Sequence, residues 1–142
     1  MSLFSALAVS ASGMAAQRTR AELLVENLAN VETTRTPQGG PYRRKDAVFG
    51  AQPMAASFGS LFESHLQEGV AVEEVSVDTR DPERRYQPAH PDAGPDGYVA
   101  FPRINPAEDM VDLTGAARGF EANVAAITAV KDMIMRSIDL FK

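Results

Sequence analysis

The sequence predicts an α+β chain in which long N- and C-terminal helices form an antiparallel coiled-coil hairpin around a small β-rich middle. Three observations predict it. Apolar residues recur at alternating gaps of three and four near the start of the chain, and again near its end. Between them, β-branched residues alternate with acidic ones. Most of the prolines and glycines also fall in that middle stretch. The boundaries follow as an N-terminal helix over 1–33, a linker and β-rich region over 34–104, and a C-terminal helix over 105–142.

The first stripe is Leu3, Leu7, Met14, Ala21, Leu24, Leu28 and Val31, with Ser10 and Gln17 filling its two missing places. Ser2 is the expected N-cap, and the helix is expected to run to about Asn30. No charge precedes Arg18, and Ala6, Ala8, Ala11, Gly13, Ala15 and Ala16 occupy the other faces. Small apolar groups on nearly every side predict a helix surrounded by other backbones. Gly13 weakens it by up to about 1 kcal/mol relative to Ala. Arg18 and Glu22 are spaced to pair on its surface.

Asn27, Asn30, Thr33, Thr34 and Thr36 compete with helix by bonding their own backbone, so the helix ends there. Pro37, Gly39, Gly40 and Pro41 form a turn-rich link. Tyr42-Arg43-Arg44-Lys45, with Val48 and Phe49, predicts a short strand. The basic triplet reads either as a solvated face or as a docking contact for an acidic surface. Phe58, Leu61, Phe62 and Leu66 are spaced for a helical turn, and His65 stands apart from other metal-ligating residues.

Val70, Val72, Val75 and Val77 predict a strand whose alternation breaks at Glu73-Glu74, the sign of a bulge or of a second strand. Asp81-Pro82 starts a turn, Arg84 to Gln87 a further strand with Tyr86 packing inward, and Tyr98 to Phe101 a last strand stopped by Pro102. Together they predict a small antiparallel sheet or half-barrel. His90, Asp92 and Asp96 lie in the breaker-dense loop before it. Their spacing does not match a calcium loop, and Asp and Gly are turn residues in their own right.

Asn105 as N-cap, Pro106 at the first helical position and Glu108 two further on mark the start of the C-terminal helix. Its stripe reads Met110, Leu113, Ala117, Phe120, Val124, Ile127, Ile134, Ile138 and Phe141. Lys131 is a misfit that Val130 relieves by a small shift of phase, and Gly115 and Gly119 permit close backbone approach.

Composition narrows the function. One domain is the prior for 142 residues. A net charge of −5 argues against a nucleic-acid partner. Cysteine is absent, so no disulfide or thiolate metal site forms. Residues 1–17 lack the basic start of a signal peptide and the dense apolar run of a membrane span, so no membrane insertion is expected. No P-loop, dinucleotide fingerprint or nucleophile elbow is present, which leaves no cofactor, no small-molecule substrate and no enzyme as the expectation.

Ser12-Gly13-Met14, Ala16-Gln17, Asn27-Leu28-Ala29-Asn30 and Thr33 resemble the N-terminal signature of the flagellar axial proteins, the rod, hook and hook-associated components. The long linker Thr34 to Lys45 resembles that of the proximal rod branch, as do His90-Pro91-Asp92-Ala93 and Gly97-Tyr98-Val99. Leu113 and Phe120-Glu121-Ala122-Asn123 resemble the family's C-terminal region. The resemblance implies a terminal coiled-coil layer that lines a tube, with the middle outside. It also implies export through the flagellar type III apparatus without a cleaved signal, and a place in the basal-body rod across the periplasm.

Two helices cannot by themselves cover both stripes, so many copies are expected to pack in contacts that do not close. The expected function is a structural rod subunit that assembles with itself and with other rod proteins. The expected assembly interface comprises Leu3, Leu7, Gly13, Met14, Leu24, Asn27, Leu28, Asn30, Thr33, Tyr42 and Arg43 from the first half. From the second half it comprises Leu113, Phe120, Val124, Ile127, Ile134, Ile138 and Phe141. A non-polymerising coiled-coil adaptor is the alternative, and a small hydrolase built on His90, Asp92 and Asp96 is a third.

Overall fold

The structure, a computed structural model, describes residues 3–53 and 68–140. Ser2, Phe141 and the turn expected around Phe58, Leu61, Phe62, His65 and Leu66 lie outside the described residues. The elements are α1 (Leu3–Ala29), β1 (Lys45–Pro53), β2 (Glu68–Val77), β3 (Glu83–Tyr86), β4 (Tyr98–Phe101) and α2 (Pro106–Asp139). This is the α+β order that the sequence predicts.

α1 ends where its asparagines take over the last carbonyls. The Asn30 side chain donates to the Glu26 carbonyl at 2.9 Å, the Thr33 amide donates to the Asn30 carbonyl, and the Thr33 hydroxyl donates to Asn30 Oδ1 at 3.1 Å. Backbone groups that the helix leaves unpaired are thus satisfied locally. α2 begins at Asn105, whose side chain accepts from the Ala107 amide, with Pro106 in the first turn.

The two helices pack antiparallel. Gly13 faces Asn123, Gln17 faces Gly119, and Arg20 pairs with Asp112 at 3.2 Å. The seam is not the expected apolar one. The buried residues of the two helices are Ser5, Ala16, Leu24 and Asn27 on α1, and Asp109, Ala116 and Val130 on α2. Met110, Phe120, Val124 and Ile138 instead stay exposed, Met110 at 59% and Ile138 at 50%, and Leu3 is exposed as well. Leu113, Ile127 and Ile134 are half-buried. Asp109, Ala116, Asn123 and Val130 recur at intervals of seven, one residue ahead of the expected stripe, and Lys131 points away from the seam. The physical reason is size: small side chains let the backbones approach closely, and close packing outweighs the count of large apolar groups. Gly119 serves this approach against Gln17, whereas a Cβ at Gly115 would meet no atom of another described segment within 4 Å.

Equal rise along both helices places Leu3 level with about Met133, so the last six or so residues of α2 reach beyond α1.

β1 and β2 form an antiparallel ladder from Lys45↔Val77 to Pro53↔Glu68, with an irregularity between Val48 and Phe49 that leaves Glu73 unpaired. That bulge has a purpose visible in the register. Val70 and Val72 are out of phase with Val75 and Val77, so an unbroken strand would put the two pairs on opposite faces. One extra residue restores the phase. All four valines then share a face with Lys45, Ala47, Phe49 and Ala51. The Glu73 side chain lies over Gly50, where a Cβ would meet its carboxylate at 2.7 Å.

β3 and β4 form a second, separate antiparallel ladder, Glu83↔Phe101 to Tyr86↔Tyr98. The expected single sheet or half-barrel is therefore two hairpins. Tyr86 does not pack inward: it is 66% exposed and meets Tyr98 edge-on at 5.3 Å. Val99, Phe101, Pro102 and Ile104 are buried where β4 leads into α2.

The β1–β2 hairpin lies along α1, tied to it at Asn27–Lys45 and at Ser12–Val70. The six ladder steps from Lys45 to Ala51, the partner of Val70, at about 3.3 Å each come close to the fifteen helical residues from Ser12 to Asn27 at about 1.5 Å each. α1 is thereby flanked by α2 on one side and by the hairpin on another.

Candidate assembly interface

Asn27 is the centre of the molecule's polar tie. It is fully buried at 0% exposure. Its Nδ2 donates to the Lys45 carbonyl at 2.8 Å, while its Oδ1 accepts from the Lys45 amide at 3.0 Å and from the Tyr42 hydroxyl at 3.1 Å. A primary amide reproduces the donor–acceptor pair of a neighbouring strand, so it closes the edge of β1 as a strand residue would. Burial, together with the nearby Glu26 carboxylate, pushes the Tyr42 phenol up to about 12. Lys45 pairs with that same Glu26 and sits over the Tyr42 ring.

The linker before β1 bonds α1, β1, the residue after β2, the β3–β4 loop and α2. Tyr42 N donates to the Thr33 carbonyl, and Thr36 and Gly40 close the intervening turn with Gly39 and Gly40 at φ 90° and 75°. Arg43 donates to the Asp78 carbonyl, and Asp78 N donates to the Arg44 carbonyl. Arg44 bonds Asp109 at 2.9 Å and Asp46 at 3.2 Å. Asp109 is 1% exposed at the start of α2. Burial raises its carboxyl against the opposing pull of the Arg44 guanidinium. Each member of the basic triplet thus bonds within the chain, although Arg43 stays exposed.

Of the residues expected at an assembly interface, Asn27 and Tyr42 are engaged internally, and Arg43, though exposed, bonds β2's end. Gly13 and Leu24 lie in the seam between the helices. Leu7, Met14, Leu28, Asn30 and Thr33 are half-buried. Leu3, Phe120, Val124 and Ile138 stand exposed. Val111, Met133 and Met135 add to that exposed apolar surface of α2. Sequence reasoning missed Arg44 and Asp109, whose charges are locally unremarkable on a basic triplet and on a helix first turn.

The loop of His90, Asp92 and Asp96 is built by turns. His90 Nδ1 accepts from Asp92 N, the Asp92 carboxylate accepts from the Thr34 hydroxyl at 2.7 Å, and Asp96 accepts from Tyr98 N. Among the described residues no cluster of metal-ligating side chains occurs, and no helix is long and apolar enough to cross a membrane.

The helix pair carries an apolar outer stripe and is tied to the β1–β2 hairpin by polar bonds around buried Asn27. A family model for the C-terminal region of the flagellar basal-body rod proteins FlgE, FlgF and FlgG matches residues 96–140. The flagellar basal-body rod protein FlgC of Bacillus subtilis is 39% identical over 152 aligned positions that span 100% of both chains. FlgC of Borreliella burgdorferi is 35% identical across 100% of this chain and 99% of its own, and FlgC of Salmonella typhimurium 32% across 99% and 98%. The chain belongs to the FlgC family of flagellar basal-body rod proteins.

Proposed function

We propose that this chain is a structural subunit of the flagellar basal-body rod, with no catalytic role. It assembles with further copies and with other rod proteins into the torque-transmitting tube through the periplasm, after export by the flagellar type III apparatus without a cleaved signal. The observation that carries the assembly is the outward stripe of Phe120, Val124 and Ile138 on α2, which α1 leaves uncovered. Full burial of such a side chain contributes about 1.5–3 kcal/mol, so covering the 38–50% still exposed adds about half of that each, and several contacts per copy hold a polymer. In the assembled tube the helix pair serves as the coiled-coil layer. Leu3, Leu7, Met14 and Leu28 on α1 join Leu113, Ile127 and Ile134 on α2 at its margins.

Val124→Glu tests the reading. Val124 is 43% exposed, so the isolated chain should keep its helix content and melting temperature. Basal bodies isolated from cells that carry only this variant should lack the rod, and the cells should be non-motile. A normal rod built from Val124→Glu subunits would sink the proposal. The adaptor alternative predicts instead that helix content and sedimentation stay constant from dilute to concentrated solution.

A further inference from the structure

Between the 39–44 turn, the end of β2 and the segment that enters α2 lies a cleft of about 70 Å³. Arg43, Arg44, Arg80 and Arg103 line it, from three separate stretches of the chain. Such a concentration of guanidinium runs against the net charge of −5. Asp78 is the carboxylate in the same wall, and Arg80 already grips it through bonds of 2.6–3.0 Å. That grip holds the Asp78 carboxyl down at about 2. Two of the lining arginines keep a donor without an acceptor among the described residues. Arg103 makes no ion pair or hydrogen bond among the described residues. Arg44 Nε–H is buried with no acceptor, although its Nη2 bonds Asp46 and Asp109. A buried N–H without a partner calls for a missing acceptor.

The cleft is far smaller than the roughly 300–1,000 Å³ of small-molecule pockets, a size that suits a single side-chain group and not a whole ligand. Pro41, Pro82 and Pro102 stiffen its rim. Guanidinium forks match a carboxylate in both geometry and charge. We propose that this cleft is a receptor for a carboxylate side chain, an aspartate or glutamate on an acidic segment of an adjoining polypeptide, held by Arg103 and Arg44.

The full chain tests this with tetraglutamate peptide as probe, followed through the side-chain Nε–H signals of its arginines by NMR. At about 0.15 M salt, where charges more than ~8 Å apart are screened, the Arg44 and Arg103 signals should shift and saturate. Tetraglutamine should leave them unmoved. Arg103→Gln should weaken the peptide by at least roughly tenfold, the usual cost of a lost charge-assisted bond. It should leave the melting temperature nearly unchanged, since Arg103 makes no hydrogen bond or ion pair among the described residues and acts on Asp78 and Glu83 only through space. Any of three results would overturn the proposal: no saturable shift, equal affinity for Arg103→Gln, or inorganic phosphate binding as tightly as the peptide. Binding by the isolated chain is read independently of rod assembly, so its failure leaves the rod function standing.

Discussion

Asn27 carries more of the fold than any apolar residue beside it. Its amide supplies three hydrogen bonds to Tyr42 and to both backbone groups of Lys45, all out of water. Asn27→Ala strands the Lys45 amide and carbonyl, and each unpaired buried group costs about 1–3 kcal/mol. The variant should lose about 2–3 kcal/mol of stability, read as a lower urea midpoint at an unchanged slope. Asp78 sets the acid response. Its folded carboxyl titrates near 2, against 3.8 as the ordinary value, because Arg80 bonds its charged form. A lowered value stabilises the fold above 3.8, and that contribution fades as pH drops from there toward 2. Asp109 works in the opposite sense. Burial raises its carboxyl, so its contribution is fully present below 3.8 and is lost as pH rises through its folded value. Asp78→Asn should therefore flatten the fall of melting temperature between about pH 4 and pH 2, the interval that linkage assigns to Asp78. An unchanged slope would show that Arg80 does not set that titration. Asn27, Tyr42 and Arg43 were legible as special residues, but not in their inward role. Arg44 and Asp109 lie 65 residues apart, and no local pattern joins them.

Helices and strands were legible where periodicity is local. The Asn105-Pro106 start of α2 and the bulge at Glu73 both follow from short spacings, and both occur in the structure. The phase of the helix seam did not follow, because a stripe of large apolar residues outweighs alanine, glycine and asparagine in any count. Packing reverses that order, since the smaller face permits the closer approach. The glycines separate these two influences. A Cβ at Gly115 would meet no atom of another described segment within 4 Å, so Gly115→Ala should raise the stability of the isolated chain by about 0.8–1 kcal/mol through helix propensity alone. Gly13→Ala should forfeit that gain. Its Cβ would stand 3.0 Å from Asn123, whose amide is held by the Gly119 carbonyl at 2.8 Å. Thermal melts of the two variants side by side check the difference. Tyr86 failed as an inward residue for a related reason. β3 and β4 form a two-stranded ribbon, and the Tyr86 ring lies flush against Gly97 and Tyr98 on its surface.

Across the whole molecule, the sequence order of helix, strands and helix made the α+β class readable, and the motifs at both ends made the family readable. The position of the β1–β2 hairpin along α1 was not readable, because it depends on Asn27 meeting Lys45 and Ser12 meeting Val70 across the fold. The reach of α2 beyond α1 has a kinetic consequence. The last turns of α2 lack the cover that α1 gives the rest of the helix, so they open and close more readily in water than its packed middle. Amides from about Met133 onward, where α1 runs out, should exchange with deuterium far faster than those near Ala116, which the seam buries. Exchange at the same amides should slow sharply once Met133, Met135 and Ile138 are covered by neighbours in the rod. The time course of that slowing would make the tip of α2 a clock for subunit incorporation.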